Sequence, residues 1–281
     1  PPVNMMVTDL VECSDTPDLF TFDLTVKNNE ITGGDPNIQV SYYDDLADYD
    51  EMAPNPIPTP TAYPNTSNPQ TIWFSAENTM TGCTIFNATD LNFELVINTN
   101  PTATAPTRLS VCDDPTPDGF TTIDLSVKDD EIAGINTPNI TVTYHIDEPG
   151  ADANDLSIPD KTMFINTFNP QIVFARVTHN ITGCFNTTPL EVEVLQAPAV
   201  VDPSDYELCD DDNDGVTIFM LSSKDAEIVA GDPTLTVEYY RTFTEADQEQ
   251  AGAELDKTSY TNNDPFVQPI WARVENVAGC Y

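Results

Sequence analysis

One phrase occurs three times along this chain, and its spacing limits the fold more than any other feature. The copies read LVECSDTPDLFTFDLTVKNNEI at 10–31, LSVCDDPTPDGFTTIDLSVKDDEI at 109–132 and LCDDDNDGVTIFMLSSKDAEI at 208–228. Each copy has a cysteine near its start, passes through a cluster of acidic residues and ends on Lys-x-x-Glu-Ile. The first cysteines of the copies are 99 and 97 residues apart. A period of that length predicts three domain-sized repeats in tandem.

The predicted repeats are separated by short Pro-rich segments. We place the repeats at 9–98, 108–196 and 205–281, with linkers at 99–107 and 197–204 and the tail of a preceding linker at 1–8. Linkers rich in proline are extended and semi-rigid, so the expected arrangement is an extended rod. The third repeat has no counterpart of segment 91–97 after its last cysteine. We expect either that the chain continues or that a neighbouring subunit donates the strand.

Short segments of alternating apolar and polar residues indicate the fold class. In the first repeat they are 20–24, 38–43, 71–77 and 91–97, and a helical turn is expected at 26–31. The other two repeats have equivalent segments, and little helix is predicted between them. Many short strands with alternating faces are typical of an antiparallel β-sandwich. The sequence therefore predicts an all-β chain of three immunoglobulin-like modules.

Six cysteines, two in each repeat, bear on the cellular compartment. Six cysteines allow fifteen pairings, and the repeat makes one bridge within each module the simplest. The predicted pairs are Cys13/Cys83, Cys112/Cys184 and Cys209/Cys280, which are 70, 72 and 71 residues apart. The alternative is six buried free thiols. Bridges of this kind predict an oxidising, extracellular location.

The acidic turn after each first cysteine is the candidate metal site. Asp210, Asp212 and Asp214 precede Gly215 and fit the first half of a calcium loop, because alternate carboxylates supply several oxygen ligands. The twelfth position of an EF-hand loop holds Leu221 instead of Glu, so further oxygens must come from Glu227 or from backbone carbonyls. Ca²⁺ is thus predicted for the third repeat.

Weaker forms of the same turn occur in the other repeats. The second repeat keeps Asp113 and Asp118 at a different spacing, and the first repeat keeps only Asp15 and Asp18. The alternative for all three is a solvated turn. Its carboxylates would then cap backbone amides or pair with the lysine of the repeated phrase.

One strand of each repeat places an aromatic residue on its predicted outer face. These residues are Trp73, Phe174 and Trp271, and Arg176 and Arg273 lie two positions beyond the last two. An exposed aromatic ring beside an arginine can bind a sugar or a protein partner. The alternative is that the long loop covers the ring or that the arginine stacks within its own module.

Charge excludes some classes of partner. The chain has 9 Lys plus Arg against 47 Asp plus Glu, a formal net charge of −38. Binding to nucleic acid requires basic side chains, so neither DNA nor RNA is an expected partner. No apolar run is long enough to cross a bilayer, and no membrane insertion is expected in this segment.

Catalysis has little support in the sequence. His145 and His179 have no equivalents in the other repeats, and no nucleophile elbow or phosphate loop is present. We therefore expect no enzyme.

The repeated phrase resembles a known class of surface protein. Cys-Asp-Asp-x-x-x-Asp-Gly-x-x-x-x-Asp-Leu at 112–125, Val-x-Tyr-Tyr at 237–240 and the Asn-Pro-Gln to Gly-Cys run at 169–184 are similar to tandem repeats of very large secreted proteins of flavobacteria and related Bacteroidota. The resemblance implies type IX secretion, attachment at the cell surface, and a role in adhesion or gliding motility.

These observations lead to one function and two alternatives. We expect a structural or adhesive region of a surface protein or extracellular filament, whose partners are other modules of the same chain and other subunits of a fibre. The first alternative is a module that binds surface polysaccharide through the aromatic and arginine strand. The second is an inert spacer of a larger secreted enzyme.

Overall fold

A computed structural model describes residues 6–49, 52–87, 89–114, 116, 118–135 and 137–281. The linker predicted at 1–8 therefore lies largely outside the described residues. Backbone proximity divides the chain into two compact units. One contains the chain as far as Thr104 with 130–143 and 176–188, and the other contains 105–129, 144–175 and 189–281. The division passes through the second repeat, so each unit holds one junction between repeats.

The first repeat consists of short strands and one single-turn helix. They are β1 (Leu10–Ser14), β2 (Thr21–Phe22), α1 (Asn28–Thr32), β3 (Ile38–Tyr43), β4 (Tyr63–Pro64), β5 (Gln70–Asn78), β6 (Cys83–Ile85) and β7 (Asn92–Thr99). The main sheet has the order β1-β7-β5-β3, and β6 pairs with the end of β5. β2 and β4 form a second, small sheet.

The second repeat has the same plan with one additional helix. Its elements are β8 (Leu109–Cys112), β9 (Thr122–Ile123), α2 (Asp129–Ala133), β10 (Ile140–His145), α3 (Glu148–Ala153), β11 (Phe164–Ile165), β12 (Gln171–His179) and β13 (Phe185–Leu195). The main sheet has the order β10-β12-β13-β8, and β9 pairs with β11. The predicted immunoglobulin-like class is confirmed.

The first strand of each of these two repeats differs from the predicted, purely antiparallel arrangement. β1 runs parallel to β7, with Leu10 opposite Leu95, and β8 runs parallel to β13, with Leu109 opposite Val192. A parallel pair needs a long crossover connection, and more than eighty residues separate these partners. The main sheets of the first two repeats are therefore mixed, and their first and last strands lie side by side.

The third repeat has fewer paired strands. Its elements are β14 (Ile218–Phe219), α4 (Asp225–Ile228), β15 (Thr236–Tyr240), α5 (Phe243–Asp247), β16 (Tyr260–Thr261) and β17 (Trp271–Glu275). β15 pairs with β17, and β14 pairs with β16. In this fully described repeat, no strand lies beside β17 on the side away from β15.

The repeated phrase supplies core residues to every repeat. Its leucine starts a 3-10 turn, at Leu24–Lys27, Leu125–Lys128 and Leu221–Lys224, that leads directly into α1, α2 or α4. The leucine and the terminal isoleucine are buried in all three copies. In each repeat a buried tyrosine hydroxyl donates to this turn or to the helix that follows it. Tyr239 donates to the carbonyl of Leu221 at 3.0 Å, and Tyr42 donates to Asn28 Oδ1 at 2.8 Å. Burial raises the pKa of Tyr239 well above its usual value.

Among the described residues, no helix combines the length and the apolar character that crossing a bilayer requires.

Candidate functional site at the repeat junctions

Both disulfides join one repeat to the next. Cys13 is bonded to Cys184 and Cys112 is bonded to Cys280, which closes loops of 171 and 168 residues. Each bridge links the first cysteine of a repeat to the second cysteine of the following repeat. The predicted pairs Cys13/Cys83, Cys112/Cys184 and Cys209/Cys280 are therefore wrong. Cys83 and Cys209 are free and exposed.

The geometry of the first repeat explains why its own cysteines cannot pair. Cys13 lies opposite Asn98 in the pair of β1 with β7, beyond the start of β5. Cys83 lies opposite Asn78, the last residue of β5. The eight residue steps of β5 span about 26 Å at about 3.3 Å each. A disulfide needs Cα atoms about 4.4–6.8 Å apart. The two cysteines of the first repeat lie at opposite ends of the sheet, too far apart to bond to each other.

Polar side chains reinforce the first junction. Asp15 Oδ1 accepts hydrogen bonds from Asn100 Nδ2 and Asn186 Nδ2, both at 3.0 Å. Asn186, which belongs to the second repeat, also donates to the linker carbonyl of Pro101 at 3.1 Å. The hydrogen bonds from Asn100 and then Asn186 hold the pKa of Asp15 below its usual value. The acidic turn of the first repeat therefore contributes to the junction.

The arginines of the predicted ligand-binding strand lie beside the second cysteines. The guanidinium carbon of Arg176 lies 3.3 Å from the ring centroid of Phe185, and that of Arg273 lies 3.3 Å from the ring centroid of Tyr281. Phe185 follows Cys184 directly, and Tyr281 follows Cys280. Such stacking positions the residue after the bridge against its own sheet.

This placement corrects part of the ligand-binding prediction. Arg176 and Arg273 are 7% and 9% exposed, so neither stands on the surface beside an aromatic ring as predicted. Trp73 and Phe174 are half-buried, whereas Trp271 is 46% exposed and packs edge-on against Phe243 at 5.3 Å. Only Trp271 keeps the surface position that recognition of a sugar would need.

The Lys-x-x-Glu-Ile motif holds the linker that precedes its own repeat. In the first repeat, Lys27 Nζ donates to Thr8 Oγ1 at 2.8 Å, and Glu30 accepts from the Thr8 backbone N–H at 2.7 Å. In the third repeat, Lys224 Nζ donates to Ser204 Oγ at 2.8 Å, and Glu227 accepts from the Ser204 backbone N–H at 2.5 Å. We call this arrangement the linker clamp.

The lysine of the second repeat makes the same contact with its linker, and an isoleucine carbonyl adds a further hydrogen bond to the linker in the second and third repeats. Lys128 Nζ donates to Thr107 Oγ1 at 2.7 Å. The carbonyl of Ile132 accepts from the Thr104 N–H at 2.9 Å, and the carbonyl of Ile228 accepts from the Val201 N–H at 2.9 Å. The clamp fixes the direction in which each linker enters the repeat that follows it.

Glu227 therefore has a role other than the one predicted for it. The backbone N–H of Ser204, followed by the ammonium group of Lys224, lowers the pKa of Glu227 to about 2. Its carboxylate is engaged with the linker, and the close group of carboxylates at the acidic turn consists of Asp210, Asp212 and Asp214.

The acidic turn of the third repeat brings its predicted ligands together. One carboxylate oxygen each from Asp210, Asp212 and Asp214 lies within 4.8 Å of the other two. Gly215 N–H donates to Asp210 Oδ2 at 2.7 Å and lowers the pKa of Asp210. The hydrogen bond between the carboxyl groups of Asp210 and Asp212 raises the pKa of Asp212. This geometry suits a Ca²⁺ ion and equally suits a capped turn, so calcium stays a prediction.

The second acidic turn is less concentrated. Asp113 Oδ2 accepts from Gly119 N–H at 2.8 Å, and Asp118 Oδ1 accepts from Phe120 N–H at 2.9 Å. The described residues near Asp113 and Asp118 form no group of three close ligands like that of the third repeat. Here the amide-capping alternative describes the contacts that are present.

A buried asparagine that sequence reasoning missed holds each acidic turn in place. Asn65, Asn166 and Asn262 are 2%, 2% and 7% exposed. Asn166 Nδ2 donates to the Gly119 carbonyl at 2.8 Å and its Oδ1 accepts from Thr121 N–H at 2.9 Å. The equivalent bonds in the other repeats span the same 45 residues. That constant separation is the signal that could have revealed them.

A family profile described as the Flavobacterium inter-domain disulphide bond domain matches residues 9–101, 108–198 and 205–281. The three matches confirm the threefold repeat, and the bridges between repeats agree with the description. No curated protein matches the chain significantly.

The comparison with solved structures gives matches of low identity and low TM-score. A titin fragment of three immunoglobulin domains is 11% identical, with 98% of this chain and 96% of that chain covered and a TM-score of 0.27. Drosophila OTK extracellular domains 3–5 are 12% identical, with 98% and 91% covered and a TM-score of 0.25. The sialic acid binding region of a Streptococcus sanguinis adhesin is 15% identical, with 99% and 74% covered and a TM-score of 0.25. Likenesses this weak support no statement about a ligand.

Proposed function

This chain belongs to the family described as the Flavobacterium inter-domain disulphide bond domain, and from that premise we propose that it is a structural and adhesive region of a bacterial surface protein or extracellular fibre. In this role the repeats are non-catalytic building blocks of a stalk. Their partners are neighbouring repeats and other subunits of the fibre. The location is outside the cell, where disulfides form and persist.

The observation that carries the proposal is the covalent link from each repeat to the next. The bonds Cys13–Cys184 and Cys112–Cys280 transmit tension across a junction without passing it through the linker backbone. The linker clamp adds hydrogen bonds and an ion pair at the same place, such as Lys224 to Glu227 at 2.9 Å. Covalent bonds between successive repeats suit a load-bearing element.

A detachment assay under shear flow tests this role. Cells that carry the parent protein with Cys13→Ser and Cys112→Ser should keep a normal surface level of the protein, measured by immunolabelling. They should detach from the substratum at a lower shear stress than cells with the unchanged protein. Met80→Ser is the matched control, because Met80 is also an exposed sulfur side chain and makes no bridge. Equal detachment stress at equal surface level would contradict the proposal.

Binding of polysaccharide remains a second candidate because one observation favours it. Trp271 and Phe243 are 46% and 57% exposed and form a joint aromatic surface on the third repeat. Aromatic faces of this kind stack on sugar rings. Glycan-array binding by the full chain that disappears in Trp271→Ala and persists in Trp73→Ala would favour this candidate. Absence of binding would remove it.

A further inference from the structure

The second and third repeats each hold a lysine side chain at the start of their first helix. In the second repeat, the ammonium group of Lys161 pairs with Asp129, the first residue of α2. In the third repeat, Lys257 Nζ donates to the carbonyl of Val237 in β15 at 2.9 Å and lies 3.8 Å from Oδ2 of Asp225, the first residue of α4. The two lysine side chains are 32% and 34% exposed, so each ammonium group is partly enclosed.

A tyrosine identifies the equivalent place in the first repeat. In each repeat the hydroxyl of a buried tyrosine donates to the side chain of the first helical residue. These bonds are Tyr42 to Asn28 at 2.8 Å, Tyr144 to Asp129 at 3.0 Å and Tyr239 to Asp225 at 2.7 Å. Asn28 therefore stands where the other two repeats have the aspartate that faces the lysine.

The first repeat has no lysine at the equivalent position. Pro60 stands there, because it precedes Tyr63 by three residues, as the two lysines precede Phe164 and Tyr260 in the matching strands. The only Lys or Arg between residues 9 and 98 is Lys27, and its ammonium group belongs to the linker clamp. The first repeat therefore has no basic side chain left for the place that an ammonium group fills in the other repeats.

An open cleft lies there instead. It has a volume of about 540 Å³ and is bounded by α1, the start of β3 and the segment between them. Asn28 and Val40 both line it, and Val40 is the counterpart of Val237, since each stands two residues before the tyrosine. The volume falls within about 300–1,000 Å³, the range of ligand pockets in proteins.

A strand carbonyl beside the cleft lacks the hydrogen bond that its counterpart has. The carbonyl of Tyr42 accepts from Ile57 N–H at 2.7 Å, so it points to the edge of β3 away from β5. Carbonyls two residues apart on a strand point to the same edge, so that of Val40 points there too. Among the described residues no group donates to the Val40 carbonyl, whereas the Val237 carbonyl receives the Lys257 ammonium group.

The other groups at the cleft favour a cation. Asn28 Oδ1 can accept a second hydrogen bond beside that of Tyr42, since a carboxamide oxygen has two lone pairs. Asp35 lines the cleft and supplies a carboxylate, and no basic residue of the described chain lines it. The chain as a whole carries a formal net charge of −38, which raises the local concentration of cations.

We propose that this cleft of the first repeat binds a lysine side chain of a partner protein, whose ammonium group takes the position that Lys161 and Lys257 fill in the other repeats. The ammonium group donates to the Val40 carbonyl and to Asn28 Oδ1. A second copy of this chain is a poor partner, because all five of its lysines already have partners within the chain. The partner therefore presents its lysine on an exposed segment. This inference goes beyond the proposed function and holds whether or not the repeats bear load.

Titration of the full, isotopically labelled chain with a capped lysine, Nα-acetyl-lysine methylamide, tests the proposal by NMR. The amide signals of 28, 29 and 37–40 should shift until they saturate. Those of 129, 130, 225 and 226 should not move, because lysines of the chain occupy the equivalent places. Capped norleucine has the alkyl stem without the ammonium group and should bind at least about tenfold more weakly.

Variants at the cleft separate recognition of the ammonium group from general attraction by charge. Pro60→Lys should abolish binding, because its own ammonium group fills the cleft. Leu19→Lys is the matched control and should bind as the unchanged chain does, since it adds the same charge at an exposed residue that does not line the cleft. Asn28→Asp supplies the carboxylate of the other repeats and should bind about two- to fivefold more tightly at low salt.

The third repeat gives an independent readout. Lys257→Ala empties the equivalent place, so the amides of 225, 226 and 236–238 should respond to capped lysine in this variant and not in the unchanged chain.

Four outcomes would each overturn the proposal. They are no saturable shift at 28–40, equal affinity for capped lysine and capped norleucine, unchanged binding in Pro60→Lys, and no response of the third repeat in Lys257→Ala. Glucosamine, which carries an ammonium group without an alkyl stem, distinguishes the source of the ligand. Tighter binding of glucosamine than of capped lysine would assign the cleft to an amino sugar and overturn the choice of a protein partner.

Discussion

Pulling the chain by its two ends with optical tweezers measures how its cysteines are connected. The loops closed by Cys13–Cys184 and Cys112–Cys280 overlap between 112 and 184. The shortest covalent path from Cys13 to Cys280 crosses the first bridge, runs back along the 72 residues from Cys184 to Cys112, and crosses the second bridge. Full unfolding of the oxidised chain therefore cannot extend it beyond that path.

The expected lengths follow from the reach of an extended chain. At about 3.4 Å per residue, 72 residues extend to about 245 Å. After reduction the path between Cys13 and Cys280 contains 267 residues and extends to about 910 Å. Addition of a thiol reductant during pulling should thus increase the extended length between Cys13 and Cys280 by about 660 Å.

Single substitutions separate the observed pairing from pairing within repeats. Cys184→Ser removes the first bridge and leaves 99 residues outside the remaining loop, so the oxidised length should rise by about 90 Å. Cys83→Ser is the control, because Cys83 is free and its removal should leave the length unchanged. A gain of about 240 Å in Cys83→Ser would show a bridge within the first repeat and refute the reasoning.

Three further predictions concern stability. Asn166→Ala should lower the free energy of unfolding by about 1–3 kcal/mol, since the Gly119 carbonyl and the Thr121 N–H lose a buried partner; unchanged urea denaturation would contradict this. The pKa of Glu227 is lowered to about 2, so its stabilising effect is complete above about pH 4.5 and is lost as the pH falls towards 2. The melting temperature of Glu227→Gln should therefore fall less between pH 6 and pH 2 than that of the unchanged chain, and parallel curves would exclude the clamp. Ca²⁺ at 10 mM should stabilise the third repeat by about 1–3 kcal/mol in the unchanged chain and not in Asp212→Asn, and an identical melting temperature with and without chelator would remove the metal.

Local pattern predicted the fold because each short strand carries its own signal. The alternation at 38–43 gave β3 with its correct bounds, and the helical turn expected at 26–31 falls on the 3-10 turn and α1. The parallel pairing of β1 with β7 carries no such signal, because alternation records which face is buried and not the direction of the neighbour. Only contacts distant in sequence decide that direction.

The cysteine pairing could not be read from spacing alone. A period near one hundred residues makes the separation from Cys13 to Cys184 as regular as the separation from Cys13 to Cys83. What decides between them is that β5 places the two cysteines of one repeat at opposite ends of the sheet. The Lys-x-x-Glu-Ile motif was likewise visible as a repeat, but its target is a linker residue about twenty positions earlier.

The interlocked loops also alter what a protease can do to this molecule. A cut anywhere from 13 to 111 leaves two pieces tied by Cys13–Cys184, and a cut from 184 to 279 leaves two pieces tied by Cys112–Cys280. Between 112 and 183 both bonds tie the fragments. Every single cut between residues 13 and 280 therefore leaves one covalent molecule. This holds also for cuts in the exposed Pro-rich linkers. Damage to the main chain is tolerated there, and only a second event, such as another cut or a reduced bond, can release a fragment.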